Sequence, residues 1–200
     1  MGLDTKNVKK ISDKDQRAAL ASPLRLELLN LFVSADPLAI SDMASLMNRP
    51  AGSLYHHVRI LEQSGILKQT GTRRKGKRHE ALYLPSASRF IYDTSGGSED
   101  AIASAVKLAA TGFRMAERDL EATLRSDNRP MEDPEPDFYA LRMHARTSPE
   151  VLAKINKHLN AVLELLTPNA ETSSKFGPDD QHISLTLALL PIKGRDVRET

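Results

Sequence analysis

The segment LAISDMASLMNRPAGSLYHHVRILEQSG, residues 38–65, decides the fold of the chain. It predicts two short helices that meet at Asn48, a residue type that tolerates the left-handed backbone of a tight turn. We expect Ser41 to cap the first helix. We expect the second helix, over about residues 50–64, to carry a proline in its first turn and to stop at Gly65. Two short helices joined by a tight turn are typical of a helix-turn-helix.

The second helix of this segment has one apolar face and one polar face. Leu54, Val58 and Leu61 recur at i, i+4 and i+7 and form the expected buried face. The opposite face is polar, as a helix that reads base edges in the major groove requires. His56 is as compatible with plain solvent exposure as with DNA contact, whereas His57 flanks the buried face and is predicted to be a structural hydrogen-bonding residue. The candidate DNA contacts of the turn and this helix are Arg49, Ser53, Tyr55, His56 and Arg59.

A basic hairpin is predicted directly after this helix. Residues 66–70 and 81–84 are expected antiparallel strands, and residues 71–79 form the loop between them. Residues 49–89 contain nine Lys or Arg and two Glu, a local charge of +7 in a chain with a net charge of +2. The cations of this wing belong either to a solvated loop or, as we expect, to contacts with DNA phosphates. They are Arg73, Arg74, Lys75, Lys77 and Arg78.

A long helix is predicted after a boundary near residues 95–97. Ser98 is its expected N-cap, and the acidic residues that follow complement the helix dipole. Apolar residues then recur at spacings of four and three, which is typical of a heptad seam. The seam packs either on its own chain or, as the length of the helix favours, on a second chain in a homodimer. Its residues are Ile102, Val106, Ala109, Phe113, Ala116 and Leu120.

The C-terminal part is predicted to be a strand–helix–strand unit behind an acidic, proline-rich linker at residues 130–137. Apolar and polar residues alternate over 139–146 and again over 183–189, as they do in half-buried strands. Between them, Ser148 and Pro149 are expected to open a helix. The fold class is therefore α+β. We expect three parts: a DNA-binding domain over 1–94, a dimerisation helix within 95–129 and a regulatory or dimerisation unit over 130–200.

Composition excludes several other classes of protein. The chain has no cysteine, so it has neither a disulfide framework nor a thiolate metal site, and no apolar run is long enough for a membrane span. The N-terminus lacks the apolar stretch of a signal peptide, so we expect a cytoplasmic protein. His144 and His158 are a weak candidate metal pair, because nothing in the sequence fixes their separation. No catalytic motif is present, and we expect neither enzymatic activity nor a cofactor.

Residues 22–85 resemble the winged helix-turn-helix of the ArsR-type (arsenical-resistance-repressor-like) regulators. SPLRLELLNLF, which begins at Ser22, is similar to that family's (D/S)PxRLxILxLL helix. The block from Ala39 to Leu67 is similar to its ELAxxLxxSxxTVSHHLxxLxxAGLV segment, with Tyr55 and Val58 in place of the serine and leucine of SHHL. The cysteines by which many members sense metals have no counterpart in Ile40–Ala44. The C-terminal hundred residues are far longer than a single dimerisation helix, so the resemblance implies the larger subset with a C-terminal strand–helix–strand extension. Any effector would be a small molecule of unknown identity.

These observations predict a homodimeric regulator that binds double-stranded DNA. Its recognition helix would enter the major groove, and its wing would contact the backbone or the minor groove. Two other functions stay open at this point. One is a winged-helix module for protein–protein or RNA contacts without operator binding, and the other is an enzyme built on the C-terminal unit, which a polar pocket with paired carboxylates would support.

Overall fold

A computed structural model describes residues 8–33, 36–92, 97–126, 139–167 and 182–191 of the chain. The predicted α+β class is confirmed: helices pack beside a β-hairpin, and a long helix follows. In chain order the elements are β1 (Val8–Ile11), α1 (Lys14–Leu20), α2 (Pro23–Asn30), β2 (Leu38–Ala39), α3 (Ile40–Leu46), a 3-10 turn (Ala51–Ser53), α4 (Tyr55–Gln63), β3 (Leu67–Lys75), β4 (Arg78–Pro85), β5 (Arg89–Tyr92), α5 (Glu99–Arg125) and α6 (Pro149–Leu165).

One apolar core holds α1 to α4 against the base of the hairpin. Each helix contributes side chains from one face, as the sequence periodicity predicts. Pro23 occupies the first turn of α2, where its missing N–H breaks no helical hydrogen bond. The fully or almost fully buried side chains include Leu20, Leu28, Phe32, Met43, Leu54, Val58, Leu61, Ile66, Leu67 and Leu84.

The predicted helix-turn-helix is present, with two local differences. Asn48 has a φ of 49°, the left-handed conformation expected at the turn. The N-terminus of α3 is capped by Asp42 rather than by Ser41, because the Asp42 carboxylate accepts a hydrogen bond of 2.9 Å from the backbone N–H of Ala39. The second helix begins later than predicted, since the chain forms the 3-10 turn before regular α-helix starts at Tyr55.

The wing is a longer and tighter hairpin than its sequence predicts. β3 pairs with β4 in antiparallel register as far as Lys75 and Arg78, so most of the predicted basic loop is strand. The turn itself is narrow and contains Gly76 at a φ of 61°, a conformation that glycine adopts without strain. β2 adds a short third strand beside the middle of β4, where it pairs with Leu82 and Tyr83.

A second, smaller sheet closes the domain. β1 and β5 pair in parallel, with Val8 opposite Arg89 and Ile11 opposite Tyr92. Ile11 is completely buried in the core that holds the helix-turn-helix. The chain therefore returns to its N-terminal strand just before the long helix, a pairing that the sequence pattern does not predict.

The long helix α5 is confirmed, and Ser98 caps it by accepting a hydrogen bond from the backbone N–H of Ala101. The helix packs on α1 and α2 through one face that includes Ala101, Leu108 and Thr111. Arg118 adds an ion pair to Glu27 of α2 at 2.8 Å. Most of the predicted boundary before this helix, at residues 95 and 96, lies outside the described residues.

The C-terminal part contains the predicted helix but not its flanking strands. α6 begins after Ser148, whose hydroxyl accepts a hydrogen bond from the backbone N–H of Val151, and none of its residues is buried. Residues 139–148 and 182–191 have no regular secondary structure and pair with no strand of the described chain. The reason is physical: a strand needs a partner, and the apolar residues of both segments are exposed, Met143 at 77%. The predicted linker at 130–137 lies outside the described residues.

No helix within the described ranges is long and apolar enough to cross a membrane.

Candidate nucleic-acid interface

The recognition helix α4 is held by its apolar face, which leaves its polar face open to solvent. Leu54, Val58 and Leu61 are at most 1% exposed, as the sequence predicts. Tyr55, by contrast, is 61% exposed although it is a large aromatic residue, and His56 and Arg59 are exposed beside it. A rigidly anchored helix that presents a tyrosine, a histidine and an arginine to solvent offers donors, acceptors and a flat ring to a partner.

The turn before α4 contributes two further predicted contacts. Ser53 is exposed, and its hydroxyl donates a 2.7 Å hydrogen bond to the carbonyl of Pro50 within the 3-10 turn. Its oxygen lone pairs stay available as acceptors. The side chain of Arg49 is exposed and forms neither an ion pair nor a hydrogen bond among the described residues. Both residues therefore lie on the accessible side of the turn.

His57 differs from its predicted role. Its ring lies 5.6 Å from that of His56, edge to face, and its Nδ1 atom is buried without a hydrogen-bond partner among the described residues. Burial lowers the pKa of His57, and the positive charges of Arg25, His56 and Arg49 lower it further. The predicted structural hydrogen bond is thus absent at this nitrogen, and the lowered pKa favours the neutral form of the ring.

The tip of the wing carries the cations that are most accessible. Lys77 and Arg78 are exposed, and their side chains have neither an ion pair nor a hydrogen bond within the described residues. Arg74 is also exposed, with Nε donating to the carbonyl of Gly76 at 3.1 Å, and Lys75 reaches back to the Ser41 hydroxyl at 3.1 Å. The wing therefore offers positive charge at its end, as predicted.

Arg73 is the exception among the predicted wing contacts. The sequence places it in the basic loop, but its side chain is half-buried and turned toward α3. Its Nη2 atom lies 2.6 Å from Asp42 Oδ1 and 3.0 Å from Glu80 Oε2, and its Nε atom donates to Glu80 at 3.2 Å. Sequence reasoning missed both carboxylates. A hairpin turn placed at Gly76 would have put Arg73 directly opposite Glu80.

The electrostatics of this cluster favour its charged form. Burial alone would raise the pKa of Asp42, but hydrogen bonds from the Arg73 guanidinium and the Ala39 amide outweigh burial and hold that pKa below its usual value. The pKa of Glu80 is lowered by its hydrogen bonds to Ser41 and Arg73. Both shifts favour the ionised carboxylates, and the stability that the cluster contributes should be lost as the pH falls from the ordinary pKa of a carboxyl group through the lower pKa values of the folded chain.

The predicted dimerisation seam lies on the part of α5 that does not pack on the chain. Val106 is 62% exposed and Phe113 47%, while Ala101 and Thr111 on the packed face are buried. At about 100° per residue, the seam is centred roughly a quarter of a turn or more from the packed face. The helix can therefore contact its own domain and a second surface at the same time. The six seam residues are exposed or half-buried: Ile102, Val106, Ala109, Phe113, Ala116 and Leu120.

No metal centre is assembled in the described part of the chain. No three or more His, Asp or Glu side chains come together there in a way that could hold a metal ion. His144 and His158 both lie in the exposed C-terminal part, and neither belongs to such a group.

Comparison with protein families agrees with the geometry of the N-terminal domain. Residues 20–70, about a quarter of the chain, match the family described as a helix-turn-helix domain. The match begins at the end of α1 and extends into the first strand of the wing, so it contains the turn and the whole recognition helix. No curated protein matches the chain. The chain thus contains a helix-turn-helix domain, a type typical of DNA-binding transcriptional regulators and not of enzymes.

Proposed function

We propose that the protein is a transcriptional regulator of the ArsR-like winged-helix type that binds double-stranded DNA as a homodimer. The observation that carries this proposal is the polar face of α4. Tyr55, His56 and Arg59 are exposed on a helix whose other face is locked into the core. In addition, the side chain of Arg59 has neither an ion pair nor a hydrogen bond within the described residues. An unpaired guanidinium on a fixed helix is suited to a bidentate contact with a guanine edge.

The wing and the turn supply the sequence-independent part of binding. Lys77, Arg78 and Arg74 would contact phosphates on the DNA flank, and Arg49 would do so beside the recognition helix. Lys75 can contribute charge from its position near Ser41. Such contacts place a protein on the duplex, whereas Arg59, Tyr55, Ser53 and His56 would distinguish one base sequence from another.

The dimer would form through the exposed seam of α5. Its apolar residues would be covered by a second chain, and the ion pair between Arg118 and Glu27 would connect that interface to the helix-turn-helix. In a homodimer the two recognition helices would face half-sites about 34 Å apart, one turn of DNA. The absence of cysteine argues against the thiolate metal sensing known in part of the family, so any effector would be of another kind.

Selection from a random pool of DNA duplexes, with the full chain as bait, tests this proposal. We expect an enriched, two-fold symmetric sequence whose half-sites are separated by one helical turn. Binding at the level of random duplexes, with no enriched sequence, would contradict a sequence-specific regulator. Enrichment of a single half-site would keep the DNA-binding function and remove the proposed dimer.

A further inference from the structure

We propose that Arg73 is a positioning residue that latches the wing to helix α3, and that it is not itself a DNA contact. The inference rests on the proposed function, because it concerns how the wing is presented to DNA. The latch consists of Arg73 with Asp42 on α3 and Glu80 on the opposite strand, together with the Ser41 hydroxyl, which lies 3.3 Å from Nη2.

The latch supplies a second attachment between the hairpin and the helix-turn-helix. The first attachment is midway along the hairpin, where Leu38 and Ala39 of β2, immediately before α3, pair with Tyr83 and Leu82 of β4. Arg73 acts further along the hairpin, two register positions before the last pair, Lys75 with Arg78. Beyond Leu82 the hairpin has only two strands, and such a ribbon can bend and twist because isolated two-stranded ribbons are marginally stable. A second attachment near the tip fixes the direction in which the tip cations point.

Asp42 makes this attachment rigid because its carboxylate has two tasks. One oxygen accepts the Ala39 N–H and so caps α3, while the other lies 2.6 Å from the Arg73 guanidinium. The carboxylate is therefore held by the backbone before it meets Arg73. Charge-assisted hydrogen bonds with a preorganised acceptor are stronger and more directional than those of two free side chains.

The same geometry argues against a phosphate contact by Arg73. Its Nε and Nη2 atoms already donate to Asp42 and Glu80. Turning the guanidinium toward a phosphate would leave those two carboxylates without their main partner, and both would repel the phosphate at short range. Lys77 and Arg78 have no carboxylate to release, so they can neutralise phosphates without this loss.

Salt-dependent DNA binding distinguishes a latch from a phosphate contact. Neutralising one phosphate contributes about −0.9 to the slope of log affinity against log salt. For Arg73→Gln we expect the affinity for DNA at one salt concentration to fall about threefold to tenfold, because the freed wing must be ordered on binding. The slope of log affinity against log salt should not change. The matched control Lys77→Ala should reduce the steepness of the slope by roughly 0.9. A loss of slope in Arg73→Gln equal to that control would overturn the proposal.

Asp42→Asn gives a test in which the two roles predict opposite signs. The asparagine oxygen can still cap α3, but the ion pair with Arg73 is lost. If Arg73 is a latch, binding weakens although a negative charge has been removed from the DNA-binding domain. If Arg73 is a phosphate contact that Asp42 restrains, binding becomes tighter, and the latch is refuted. The double variant Asp42→Asn, Arg73→Gln should bind DNA no more weakly than the weaker-binding of the two single variants, because both substitutions break the same contact.

Hydrogen exchange of the free protein separates failure of the latch from failure of the proposed function. In Arg73→Gln we expect faster exchange of the backbone amides near the hairpin tip, residues 73–80, and unchanged protection in α4. Unchanged exchange at the tip would overturn the latch even if the protein binds DNA. If the wild type selects no DNA sequence, the proposed function fails, while faster tip exchange in the variant would still identify Arg73 as the residue that holds the wing.

Discussion

The Arg118 guanidinium on α5 lies 2.8 Å from the Glu27 carboxylate on α2, and this ion pair joins the long helix to the domain that contains the recognition helix. Arg118 is 61% exposed and Glu27 21%, so water screens the pair on one side. Hydrogen bonding to Glu27, with the charge of that carboxylate, raises the pKa of Arg118 above its usual value. The contact connects the proposed dimer interface with the proposed DNA-binding domain, yet its exposure limits what it contributes to stability.

Glu27→Gln should lower the free energy of unfolding by less than about 1 kcal/mol, because exposed ion pairs contribute little after screening and side-chain ordering. The adjacent substitution Leu28→Ala is the control, since Leu28 is completely buried and its truncation should cost about 2–5 kcal/mol. Urea denaturation of both variants measures the difference. A loss in Glu27→Gln as large as that in Leu28→Ala would contradict a weak, solvent-screened ion pair.

Phe113→Glu should convert the dimer to monomers without unfolding the chain. Phe113 is 47% exposed in the single chain, so a charge there is tolerated in the monomer but would be buried without a partner in the dimer. Sedimentation should show monomers, and affinity for a two-half-site duplex should collapse. Lys107→Glu, at an exposed position about 120° round the same helix from Phe113, is the matched control and should stay dimeric. A dimeric Phe113→Glu variant would place the interface elsewhere in the chain.

Arg59→Ala should separate reading of the DNA sequence from contact with its backbone. If the guanidinium binds a guanine edge, the variant should lose about 1–3 kcal/mol of binding free energy on the selected duplex and much less on a scrambled one. Lys77→Ala should weaken binding to both duplexes alike. Fluorescence anisotropy at one fixed salt concentration measures the six affinities of wild type, Arg59→Ala and Lys77→Ala for the two duplexes. Equal losses of Arg59→Ala on both duplexes would make Arg59 a phosphate contact.

His57 should make the domain less stable in mild acid. Its pKa in the folded chain lies below the ordinary value of 6.5, so the unfolded chain binds its proton first as the pH falls. The free energy of unfolding should therefore decrease as the pH falls from about 6.5 toward the lower folded pKa, and it should be unaffected by this group well above 6.5. His57→Gln, which does not titrate, should flatten the decrease. Identical pH profiles for the two proteins would remove His57 as its cause.

Features that depend on neighbouring residues could be predicted from the sequence. Asn48 adopts a positive φ and Ser98 caps α5. Both features could be predicted because each depends only on the residue type and on the few residues next to it in sequence. The buried face of α4 followed from spacing alone, since Leu54, Val58 and Leu61 must share one side of any helix. The exposed candidates on α4 followed from the same periodicity.

Features that depend on distant parts of the chain could not be predicted in this way. Arg73 reads as one more cation of a basic loop, because only the register of the hairpin and the position of α3 bring Asp42 and Glu80 to it. The alternation of apolar and polar residues at 139–146 indicates that one side of this segment is apolar, but it does not specify which part of a protein covers that side. The pairing of β1 with β5 joins residues far apart in sequence, and short-range patterns carry no information on it.

The parallel pairing of β1 with β5 can form only late in the synthesis of the domain. Val8 leaves the ribosome among the first residues of the domain, but its partner Arg89 follows only about eighty residues later. Lys9, on the same strand, donates a 2.8 Å hydrogen bond to the carbonyl of Gly65 at the end of α4, so the strand also waits for the recognition helix. We therefore expect α1 to α4 to pack together first and β1 to dock last. Docking of the N-terminal strand would then be the final step in the folding of this domain on the growing chain.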